Sequence, residues 1–148
     1  MKTLLYAALA VSCAGATAQT YRCPPRYPPN GTPATVLSNA AMYLGEMHGN
    51  GALHGDIEEV KDGTDTHYSL PDDVPKWLVC QYGGERIAGT AISGPRVIGG
   101  RDWWIPLDPR IEVCDLKLRE TAVDRGLSVW EAIAICKRKA LPSPAMLD

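Results

Sequence analysis

Three histidines and a scatter of paired acids are the side chains here that could do acid–base or metal chemistry. His48 and His54 fall in Gly45–Gly55, a segment with four glycines in eleven residues, and Glu46 and Asp56 lie close by. Imidazole nitrogens and carboxylates are the ligands that a divalent metal takes. Their spacing follows neither a helix nor a strand period. A small metal-dependent hydrolase built on the His48/His54 loop is therefore an alternative reading, and solvated loop histidines are the first. His67 stands apart. Ser69 and Ser93 occupy no Gly-x-Ser-x-Gly elbow, which argues against a serine hydrolase. Glu58-Glu59 and Asp72-Asp73 are adjacent pairs whose side chains diverge on a strand, so they suit solvated turns better than a general acid and base. Asp62-Gly63-Thr64-Asp65 lacks the remaining ligands of a calcium loop. Asn30-Gly31-Thr32 is a glycosylation sequon, relevant only in a eukaryotic secretory route. No nucleophile, base and orienting group assemble with recognisable spacing, so the chain reads as a non-enzyme with no cofactor and no metal.

The stronger candidate is for recognition. Arg101-Asp102-Trp103-Trp104, with Arg110 beyond, concentrates the residue types that dominate binding hot spots. Neighbours in an extended segment face opposite ways, so one tryptophan is expected in the core and the other at the surface. Arg101, Trp103, Trp104 and Arg110 are the expected binding residues; the competing reading is that both tryptophans simply help to pack a small domain.

Compartment decides how the cysteines read. Lys2, an apolar stretch from Thr3 to Ser12, and the small-x-small site Ala16-Thr17-Ala18 form a secretory signal over residues 1–18, leaving one exported domain over 19–148. The apolar stretch is shorter than the roughly 20 residues that cross a bilayer, and no later stretch is longer, so no transmembrane segment is expected. Cleavage before Cys13, giving a lipoprotein, is the competing reading; Ser12 suits it and Ala10 does not. The destination is periplasmic or secreted. The formal charge of -2 becomes one unit more negative when Lys2 is lost, and a mildly acidic chain without a basic block does not predict nucleic-acid binding. Loss of Cys13 leaves Cys23, Cys80, Cys114 and Cys136, which in an oxidising compartment form two bridges. Sequence leaves three connectivities open. Cys80 and Cys114 sit on strand-like segments and Cys23 and Cys136 near the ends, which favours Cys80–Cys114 with Cys23–Cys136. No Cys-x-x-Cys pair supports zinc.

The elements that position these residues read as an α+β fold: a small antiparallel, β-rich meander with a C-terminal helix. Fourteen glycines, twelve prolines and no phenylalanine favour turns and short strands. Tyr21–Pro33 is an extended, proline-rich arm. Residues 34–44 read either as two short strands or as one helix. Asp56–Asp65 is acidic and solvated, with a turn at Asp62-Gly63, and Thr66–Leu70 is a strand. Trp77–Tyr82 and Glu85–Ile92 flank Gly83-Gly84, which predicts a two-residue hairpin with Cys80 opposite Ile87. Ser93–Pro109 is loop-rich. Ile111–Leu118 is a strand with Cys114, Leu116 and Leu118 on one face. From about residue 127 a helix is expected: Ser128-Val129-Trp130-Glu131 has capping-box spacing, Val129, Ile133 and Cys136 fall on one stripe, Lys137-Arg138-Lys139 suits a last turn, and Pro142 and Pro144 end it.

Several of these segments also carry a likeness. Cys23-Pro24, Ala41-Met42-Tyr43-Leu44-Gly45 followed by Leu53, Tyr68-x-Leu70-Pro71, Trp77-Leu78-x-Cys80-x-Tyr82-Gly83 and a later Cys114 resemble a family of short exported bacterial proteins known only by a locus-tag name. The resemblance spans residues 23–116 and implies an exported, β-rich, disulfide-bearing protein; it supplies no catalytic residues. The leading functional expectation is non-enzymatic protein binding in the cell envelope, of the inhibitor or immunity kind, with an envelope protein or enzyme as partner. A structural or ligand-binding envelope module is the third reading beside the hydrolase.

Overall fold

The computed structural model describes residues 17–28, 35–87, 89, 95–124 and 126–139. Ten strands follow in order, and among the described residues there is no helix. They are β1 (Ala18–Arg22), β2 (Leu37–Leu44), β3 (Asp56–Val60), β4 (Gly63–Ser69), β5 (Lys76–Tyr82), β6 (Glu85–Ile87), β7 (Arg96–Ile98), β8 (Arg101–Pro106), β9 (Ile111–Asp124) and β10 (Leu127–Arg138). A five-stranded sheet runs β1-β10-β9-β4-β3, a three-stranded sheet β2-β5-β8, and β6 and β7 form a separate ribbon; every pairing is antiparallel. The fold is all-β, not the α+β architecture expected.

Two cross-strand rows explain the large sheet. Tyr68, Cys114 and Cys136 lie in register across β4, β9 and β10, and Thr66, Leu116 and Ala134 form the next row. All six are buried. Opposite them, Leu37, Ala40, Met42, Leu78, Cys80 and Tyr82 of the small sheet join the same core cluster. Alternation thus sends one face of each sheet inward, the pattern of a sandwich. The reverse face of the large sheet carries the charged pairs Arg22–Glu131, Asp65–Arg119 and His67–Asp115, with Val113, Ile133 and Ile135 among them.

The expected C-terminal helix is β10. Its inner face is Ala132, Ala134 and Cys136, a period of two whose small residues a helical template reads equally well. What decides the matter is pairing: β10 runs along β9 through Cys136↔Cys114 and is flanked by β1, so its backbone is satisfied on both edges. Ser128 and Glu131 are strand residues, not a capping box. Pro142 and Pro144 lie outside the described residues, as do residues 1–16 of the expected signal with Ala10 and Cys13, the Asn30-Gly31-Thr32 sequon, and Ser93.

The cysteines pair as Cys23–Cys80 and Cys114–Cys136. The expected Cys80–Cys114 and Cys23–Cys136 bridges are absent. With β10 a strand, Cys114 and Cys136 become direct cross-strand neighbours. Cys23 is brought to Cys80 by the arm that leaves β1, which is pinned where Cys23 N–H donates to Ala132 O at 3.1 Å.

The Gly83-Gly84 reading needs a second correction. β5 pairs with β2 and β8, so Cys80 faces Ala40 and Trp103, not Ile87. β6 pairs with β7. Tyr82↔Arg101 and Glu85↔Ile98 keep one register across the glycines, so β5–β6 and β7–β8 form a single long hairpin bent where Gly83-Gly84 meets Gly99-Gly100. All four glycines have positive φ, and a side chain on Gly84 would come within 2.7 Å of the carbonyls of Ile98 and Gly99. The bend turns the ribbon against β10, where the Arg86 guanidinium sits 4.0 Å over the Trp130 ring. Trp130→Ala is expected to release the ribbon at a cost of about 1 kcal/mol. Amide exchange should then quicken in β6 and β7 while β9 is unchanged; equal quickening in both would show that Trp130 supports the core instead.

Other expectations meet a simpler outcome. Residues 37–44 are one continuous strand, neither the helix nor the two short strands expected over residues 34–44. The Asp62 turn is present, with Asp62 at φ 63; it joins β3 to β4, so the acidic segment, exposed or half-buried throughout, is part of a hairpin.

Candidate functional site

The outward face of the three-stranded sheet differs from that of the larger sheet. Register places Tyr43 beside Trp77, and Val79 between Ala41 and Trp104, on this face. Where an antiparallel sheet faces water, polar residues are the rule; here the face is aromatic. Trp104 meets Tyr43 edge-on at 5.0 Å and Trp77 at 5.9 Å between ring centroids. Val79 lies beneath, fully buried.

The glycine-rich loop that follows β2 completes the site. Leu44 N–H donates to Gly51 O at 2.8 Å and Leu53 N–H to Met42 O at 2.9 Å, so the chain doubles back along β2. Gly51 is required there, because a side chain would strike the Leu44 carbonyl. Trp77 Nε1 donates to Gly45 O at 2.8 Å and ties the loop down. The loop then sets the His48 ring 5.4 Å from Trp104. Tyr43, His48, Gly49, Asn50, Ala52, Asp102 and Trp104 enclose a cleft of about 350 Å³.

Burial raises the Asp102 carboxyl above the usual range, opposed by a hydrogen bond from Gln81 and by the charge of His48. Burial, and then the Asp102 charge, raise the Tyr43 phenol. Trp104 Nε1 is buried and has no hydrogen-bond partner among the described residues, a group that ordinarily finds one. The arrangement offers an aromatic floor with hydrogen-bonding groups at its rim. Among the described residues the lining holds no serine, threonine, cysteine or lysine; its ionisable side chains are Tyr43, His48 and Asp102.

The expected site residues separate. Trp103 and Trp104 face opposite ways, as the strand period requires: Trp103 packs on the core side, 6.2 Å from Tyr27, and Trp104 lies on the outer face. Arg101 sits over the Tyr27 ring at 5.5 Å, on the Trp103 side. Arg110 lies in the turn before β9 and is engaged with Asp108. The outer aromatic group is therefore Trp104 with Tyr43 and Trp77, and neither of these two belongs to the sequence-derived set. His48 and His54 line different cavities; His54 borders a narrow one of about 230 Å³ beside β2. Among the described residues no three His, Cys, Asp or Glu side chains gather as a metal group. No helix among them is long and apolar enough to cross a membrane.

No protein-family model matches the chain, and neither a curated protein nor a solved structure shows a match to it.

Proposed function

We propose that this is a non-catalytic exported protein, periplasmic or secreted, that binds another envelope protein through the outer face of its three-stranded sheet. The observation that carries the reading is the half-buried Tyr43–Trp77–Trp104 cluster on a face that, among the described residues, no second sheet covers. Rigid aromatic surfaces contribute large contact area at low entropic cost and dominate binding hot spots. Two disulfides support the oxidising destination. An inhibitor or immunity role against an envelope enzyme is the form that fits a small, stapled and mildly acidic chain.

The test is capture from an envelope extract by the oxidised protein, with Trp104→Ala and Trp103→Ala each checked for folding. Trp104→Ala should weaken capture of the same partner by about 2 kcal/mol or more, roughly 30-fold. Trp103→Ala, on the core side, should act through stability instead. Undiminished capture by a folded Trp104→Ala protein, or hydrolysis by the wild type that is lost with His48→Ala, would overturn the reading.

A further inference from the structure

A further cavity lies at the end of the molecule where β5 begins and β8 ends. It measures about 660 Å³, within the range of small-molecule sites. Val74, Pro75, Trp77, Pro106, Leu107 and Pro109 give it mostly apolar walls. Lys76 also lines it, and Lys76 is only 2 % exposed. Its Nζ donates to Pro109 O at 2.6 Å, and among the described residues it has no other hydrogen bond and no carboxylate within 4.0 Å. An ammonium has three donors, so two remain without a protein acceptor. A buried charge is retained at a considerable desolvation cost unless an anion meets it. The neighbouring cations are already engaged, Lys139 with Asp72 and Arg110 with Asp108. Asp72 and Asp73 line the cavity as well, and among the described residues Lys76 is the one cation of the lining with no carboxylate within 4.0 Å.

We propose that the cavity is a binding site for a small carboxylate with an apolar tail, whose carboxylate meets Lys76 Nζ and whose tail lies along Trp77, Pro106 and Leu107. Charge complementarity selects the head group and the apolar walls select the tail. This site adjoins the aromatic face described above and shares Trp77 with it, but the inference does not depend on the protein-binding role.

The experiment titrates sodium octanoate into the full oxidised protein and follows the Trp77 indole N–H by NMR. Octanol, with the same tail and no charge, is titrated in parallel. Saturable octanoate shifts at Trp77 are expected, with octanol at least about tenfold weaker, the scale of a hydrogen bond to a charged group. Lys76→Met, which removes the ammonium and keeps an unbranched side chain one atom shorter, should bring octanoate down to the octanol level and leave octanol binding unchanged. No saturable shift, equal affinity for octanoate and octanol, or full octanoate affinity in a folded Lys76→Met protein would each overturn the proposal. The wild-type comparison of the two probes decides it even if the variant does not fold.

Discussion

Replacing Cys23 and Cys80 together by alanine should lower the unfolding free energy by about 4 kcal/mol, and replacing Cys114 and Cys136 by about 3 kcal/mol. The bridges span 57 and 22 residues of chain, and the cost of closing an unfolded loop grows with the logarithm of its length. The longer bridge also has the larger structural task. It fixes the arm after β1 to the middle strand of the small sheet, whereas Cys114 and Cys136 are already held together along β9 and β10. Urea unfolding of the two double variants, compared at equal slope, measures both numbers. A loss under 1 kcal/mol for the Cys23/Cys80 variant would show that the arm is docked by other contacts.

The second large effect is expected at Tyr82. Among the described residues it is the largest of the fully buried side chains, its ring meets Tyr27 edge-on at 5.6 Å, and its hydroxyl donates to Pro24 O at 2.7 Å, one residue from Cys23. Tyr82→Ala should cost about 4 kcal/mol through the cavity it leaves, and Tyr82→Phe about 1 kcal/mol through the lost hydrogen bond. Burial also raises the Tyr82 phenol well above its ordinary value and pushes Tyr68 up to about 12. Both shifts have one sign. Above about pH 10 the unfolded chain loses these protons while the folded chain keeps them, so stability is full below that pH and falls as pH rises towards 12. The fall should be shallower in Tyr82→Phe. An identical alkaline profile in the variant would mean that Tyr82 does not contribute to it.

Several parts of this architecture were legible in the sequence. Trp77–Tyr82 is a strand, Cys114, Leu116 and Leu118 share a buried face, and Trp103 and Trp104 point apart, because each follows from the two-residue strand period. The helix failed because Val129, Ile133 and Cys136 fit a helical stripe while Ala132 and Ala134, small enough for either template, hid the strand period. Only the partner strand β9 distinguishes the two readings, and a pairing such as Cys136 with Cys114, 22 residues apart, is not a local property. The Gly83-Gly84 hairpin failed for a related reason: two glycines with positive φ make a tight turn when alone, but opposite Gly99-Gly100 they make a bend in a longer hairpin. The same non-locality hid Tyr43 and Trp77. Each looks like an ordinary strand aromatic until the register of β2, β5 and β8 stacks them beside Trp104. The cysteine pairing inherits the error in β10, since Cys136 on a helix has no cause to face Cys114.

That the outer face of the three-stranded sheet is the binding face is tested most directly by locating the partner's footprint. Hydrogen exchange would be measured on the oxidised full chain, alone and with the envelope protein it captures. Slower exchange is predicted in the Gly45–Gly51 loop that carries His48 over Trp104, with the turn between β3 and β4 and the ribbon of β6 and β7 unchanged. Slowing at the β3–β4 turn or in the ribbon, with the Gly45–Gly51 loop unaffected, would contradict it.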